Sequence, residues 1–178
     1  MAKPTAADAE LILKLYDLRR EPELRKARHW WVVTFSPQTA DDFMKVSGAF
    51  GTPENNWLRQ VLGYWGIASS LVNHGALNRE MFLEPSFCGE MVLIYAKIKP
   101  FLKEIREKMK NQQFLAGIES LIMSTKKSRE FLKRMETEVG INCSNTRMFL
   151  TGSGGGEIAN RIGAKFVQEV TAVSLAVE

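Results

Sequence analysis

Cysteine is scarce: Cys88 and Cys143 are the whole complement of 178 residues. They form no CxxC pair and join no histidine in a ligand spacing, which argues against both a disulfide framework and a zinc site. A reducing compartment suits such a chain. Histidine is equally sparse. His29 and His74 lie in no HExxH motif and beside no serine elbow. Long apolar runs are missing too, none approaching the roughly 18 residues of a membrane span. The N-terminal Met1–Asp8 stretch carries no apolar leader region. These absences predict a cytoplasmic protein without membrane contact, bound metal or cofactor.

What is present is apolar residue in quantity, 45% of the chain, enough for a sizeable core without staples. The net charge of +4 is unevenly spread. Residues 1–96 carry ten Lys/Arg against eleven Asp/Glu, residues 97–134 eleven against four, and residues 135–178 three against five. The basic surplus therefore belongs to one segment.

Helical spacing of apolar residues recurs along most of the chain. Thr5 caps a first helix carrying Leu11, Leu15 and Leu18 to about Arg20, and Pro22 opens a second with Leu24, Ala27, Trp31 and Phe35 on one face. Thr39 or Asp41 caps a short third helix. Leu58, Val61, Leu62, Trp65, Ala68 and Val72 mark the clearest helix, residues 53–74, with Gly75 suited to the left-handed position that ends it. Asn78 caps a short helix that breaks at Pro85. From Cys88 to Met109 the pattern is helical again, with Pro100 forcing a kink or a junction of two helices. A long helix is expected from Phe114 to Val139, closed by Gly140.

The predicted fold is an all-α bundle of about six or seven helices over residues 1–140. A glycine-rich linker spans 141–156, around Gly152-Ser-Gly-Gly-Gly156, and an amphipathic C-terminal element, helix or strand, spans 157–178. Ile158, Ile162, Phe166, Val170 and Val173 keep helical spacing in that element, and an apolar face on a tether needs burial on its own body or on a partner. These five residues are the candidates for self-association, with a homodimer as the expected state.

Chemical motifs are weak. Thr151–Glu157 precedes a helical pattern, but Glu157 stands where a phosphate-binding loop or a dinucleotide fingerprint needs glycine or lysine, so a flexible linker is the simpler reading. Lys97, Lys99, Lys103 and Arg106, with Lys126, Lys127, Arg129 and Lys133, form two basic stretches that could follow a nucleic-acid backbone. No recognition-helix pattern accompanies them, and Glu104 and Glu107 dilute the run, so a solvated face is the plainer account. Asp41-Asp42, Glu80 with Glu84, and Glu136 with Glu138 lack the ExxH partners of a metal-carboxylate bundle. A catalytic site drawn from His29, Glu90 or Cys88 rests on residue type alone. The four tryptophans, at helical spacing, read as packing.

The stretches Leu18-Arg-Arg-Glu-Pro-Glu-Leu-Arg-Lys-Ala-Arg-His-Trp30, Leu58-Arg-Gln-Val-Leu-Gly-Tyr-Trp65 and Leu71-Val-Asn-His-Gly-Ala-Leu-Asn-Arg-Glu-Met-Phe82 resemble an uncharacterised family of bacterial all-helical domains. The resemblance covers roughly residues 10–135. It implies a helical fold and no activity, and it carries over no catalytic residue. The expected function is a non-catalytic, self-associating protein–protein interaction module. The alternative is a nucleic-acid-binding accessory protein using the 97–134 face.

Overall fold

The computed structural model of the chain describes residues 3–149, and every regular element among them is helical. The first helix, α1 (Ala6–Leu18), opens on a reciprocal cap: the Asp8 N–H donates to Thr5 Oγ1 and the Thr5 N–H to the Asp8 carboxylate. Helix α2 (Pro22–His29) begins with proline in its first turn, where a missing N–H costs nothing, and Glu21 caps it by accepting from the Leu24 N–H. Thr39 and Asp42 repeat the reciprocal cap at α3 (Ala40–Gly48). Thr52 and Pro53 open α4 (Pro53–Asn73), and Gly75 with φ +76° turns the chain away from its end.

Four expectations need correction. The second helix does not continue as α to Phe35. At Trp30–Thr34 it widens into a π turn, in which the Phe35 N–H donates to the Trp30 carbonyl. Within this turn the adjacent Trp30 and Trp31 are both buried. Second, the helix expected from Cys88 starts earlier: the short α5 (Arg79–Phe82) ends before Pro85 as expected, and α6 (Pro85–Ile98) opens at that proline. Third, the expected helix over 114–139 is two, α8 (Ala116–Met123) and α9 (Lys126–Phe149). The break sits at Ser124-Thr125, where Thr125 Oγ1 accepts from the Ser128 N–H and the buried Ser128 hydroxyl donates to the Ile122 carbonyl. Fourth, α9 passes through Gly140 to Phe149, across the first residues of the expected linker. At Pro100 the junction is a short 3-10 turn, Lys99–Phe101, leading into α7 (Leu102–Lys108).

The chain divides after Thr137 into two units, and the contacts described below lie within the first. Helix α4 is its spine, packing against α2, α3 and α8. Trp31, Phe43, Trp65, Phe82 and Tyr95 are fully buried around it. Helix α6 buries residues on nearly every side, and Glu90 and Lys97 are the only charged residues in its sequence, PSFCGEMVLIYAKI. A helix that is apolar all round is a core helix, so each of its charges must find a partner inside.

Candidate functional site

Glu90 finds three. Its Oε2 accepts from Arg28 Nε at 2.7 Å and from Arg19 Nη2 at 3.3 Å, while Oε1 accepts from Trp65 Nε1 at 3.0 Å. Arg19 lies at the end of α1, Arg28 in the last turn of α2 and Trp65 in mid-α4, so one carboxylate ties four helices together. Arg19 also donates to the Phe87 carbonyl, and its guanidinium carbon lies 5.2 Å from the Trp65 ring centroid, in cation–π range. Burial pushes the Arg19 pKa down while Glu90 pulls it back. Tyr64, beside this cluster, donates to the Leu15 carbonyl at 2.8 Å, and burial raises its phenol to about 12. Two guanidinium groups on one carboxylate leave the cluster net positive.

Lys97, a candidate phosphate contact by sequence, is used otherwise. Its ammonium donates to the carbonyls of Trp31, Val32 and Phe35 at 2.8, 3.0 and 2.9 Å. The π turn ends in carbonyls without helical partners, and this cation from α6 satisfies them.

The remaining basic candidates are scattered through local pairings. Lys99 bonds Glu136. Arg106 bonds the Glu119 carboxylate at 2.6 Å and the Phe114 carbonyl at 3.0 Å, and Tyr95 donates to the other Glu119 oxygen at 2.9 Å. Lys127 reaches Glu84 at 2.9 Å, Lys126 lies 3.9 Å from Glu130, and Arg129 donates to the Met123 carbonyl. Lys103 and Lys133 are exposed. The eight residues thus do not converge on one stripe of unoccupied cations.

His29 is exposed on α2, and His74 accepts or donates locally at Ser70 in the last turn of α4. Cys88 is buried, and burial raises its thiol to about 12, the reverse of an activated nucleophile. Asp41 bonds Lys108, and Asp42 serves as a helix cap whose N–H partners Gln38 and Thr39 hold its pKa down. Among the described residues no three His, Cys, Asp or Glu side chains converge as a metal site, and no helix is long and apolar enough to cross a membrane. The Thr151–Glu157 glycine cluster and Ile158, Ile162, Phe166, Val170 and Val173 lie outside the described residues.

One surface feature escaped the sequence reading. Helix α1 is apolar around most of its circumference yet buries only Leu15; Leu13 is 66%, Leu18 58% and Tyr16 40% exposed. Lys14 and Asp17 share this outward arc and are also exposed. The signal was available: ELILKLYDL has more leucine than one packed face can use.

Residues 4–125 match the model of a protein family described as a domain of unknown function, DUF4760. The match takes in more than half of the chain and overlaps all three stretches that carry the resemblance noted above. No curated protein and no solved structure matches the chain.

Proposed function

The chain belongs to the DUF4760 family of domains of unknown function, and from that premise we propose that it is a non-catalytic interaction module that associates with a second copy of itself through α1. The observation that carries this reading is the outward face of α1, with Leu13 and Leu18 each more than half exposed. Isolated surface leucines are ordinary, but Leu13 and Leu18 bracket the exposed Lys14 and Asp17 on the outward arc of one helix, an arc that is apolar at its edges and charged between them.

The occupant follows from charge. In an antiparallel two-fold pairing centred between Leu15 and Tyr16, Leu13 of one copy meets Leu18 of the other, and Lys14 meets Asp17. Such an arrangement is self-complementary, as a two-fold contact must be. The polar side chains elsewhere that could serve chemistry, Glu90, Arg19, Arg28 and Glu119, are occupied in joining helices. Ile158, Ile162, Phe166, Val170 and Val173 would add a second apolar surface to the same association.

Sedimentation of the full chain tests this reading. A dimer is expected, converted to monomer by Leu13→Glu with Leu18→Glu. Lys14→Asp should weaken it, and adding Asp17→Lys should restore it. A wild-type monomer at about 100 μM, or a dimer indifferent to all these changes, would overturn the proposal; association lost only on deleting residues 151–178 would move it to the tail.

A further inference from the structure

Between α2 and the start of α4 lies an open groove of about 470 Å³, lined by Arg25, Lys26, His29, Trp30, Thr34 and Trp57. That volume falls within the range of small-ligand sites. We propose that the groove binds a nucleoside phosphate, with the base against Trp57 and the phosphate at Arg25 and His29.

The two walls differ in chemistry. Arg25, Lys26 and His29 stand on one edge of α2, four residues apart at most, and all three are exposed. Lys26 is committed to Glu23 at 2.6 Å, while Arg25 spends one donor on the Arg20 carbonyl at 2.9 Å, which steadies a guanidinium that keeps further donors to offer. The opposite wall is indole. Trp57 is half-buried, and its N–H points to Glu23 at 3.5 Å, so the edge of the ring is tethered. Its aromatic neighbour is Trp30, with centroids 6.1 Å apart and planes tilted by 48°, which is no stacking geometry. Among the described residues no aromatic ring is stacked on Trp57, and a planar base can supply one. The π turn starting at Trp30 contributes both Trp30 and Thr34 to the lining, and such turns recur at functional sites. A ligand using both walls must join a flat ring to an anion. A bare phosphate would leave the indoles unused, and an apolar peptide would leave the cations unused.

Calorimetric titration of the full chain with AMP, adenosine, inorganic phosphate and a short oligoadenylate tests this proposal. AMP should bind saturably and more tightly than adenosine or phosphate, and Trp57→Leu and Arg25→Gln should each weaken binding by about tenfold. Arg25 is exposed, so its variant keeps the test valid if the Trp57 variant unfolds. Lys133→Gln should bind as the parent does. Oligoadenylate binding more tightly than AMP, with a steep salt dependence, identifies the end or interior of a strand as the source; equal affinity identifies the free nucleotide. No saturable binding of AMP or oligoadenylate up to about 5 mM, binding equal for adenosine and AMP, or binding unchanged in both variants would overturn the proposal.

Discussion

Arg19 Nη2 reaches Glu90 Oε2 at 3.3 Å across 71 residues of sequence, with both side chains more than nine-tenths buried. Removing the carboxylate strands two guanidinium groups and an indole N–H, so Glu90→Ala should cost about 3 kcal/mol or more in urea unfolding. Arg28→Ala should cost less, because Arg28 is the more exposed partner and Arg19 keeps the carboxylate compensated. Equal and small losses for the two variants would mean that the cluster contributes little.

Lys97→Met keeps the aliphatic stem but removes all three charge-assisted bonds to the π turn. A loss of about 2 kcal/mol is expected. Because Trp30 and Trp31 belong to that turn, the near-ultraviolet dichroism of the folded variant should change as well. An unchanged aromatic spectrum would show that the turn holds its shape without the lysine.

Cys88 should be inert in the folded protein. In a Cys143→Ser background, a disulfide-exchange reagent at about pH 8 should label Cys88 only as fast as the protein opens, and quickly in denaturant, since the thiolate is the reactive form. Rapid stoichiometric labelling of native protein would contradict the burial described here.

Alkaline pH should destabilise the fold. The Cys88 thiol and the Tyr64 phenol are raised by burial from 9.0 and 10.0 respectively to about 12, and burial raises Tyr95 in the same direction. Groups with raised folded-state pKa values keep protons that the unfolded chain releases, so their contribution is intact below about pH 9 and lost between there and about pH 12. The limiting slope is about 1.4 kcal/mol per pH unit for each group. Urea midpoints that stay flat from about pH 8 to 11 would be inconsistent with this.

Local signals were readable in advance. Thr5, Thr39 and Asn78 cap helices where their side chains had suggested, and Gly75 takes its left-handed conformation, because caps and turns are decided within a few residues. What the sequence hid depends on distant partners. Lys97 reads as part of a basic run because the carbonyls it serves come from more than sixty residues earlier. A usable clue did exist: a lone glutamate and a lone lysine inside the apolar α6 each had to be satisfied internally.

Placing both anchors on α6 has a consequence for biosynthesis. Glu90 and Lys97 hold the end of α1, the end of α2 and the π turn, all of which leave the ribosome first. A nascent chain that has not yet reached α6 carries its tryptophan-rich stretch but neither of the charges that fasten it, and it must wait, or be sheltered, until α6 emerges.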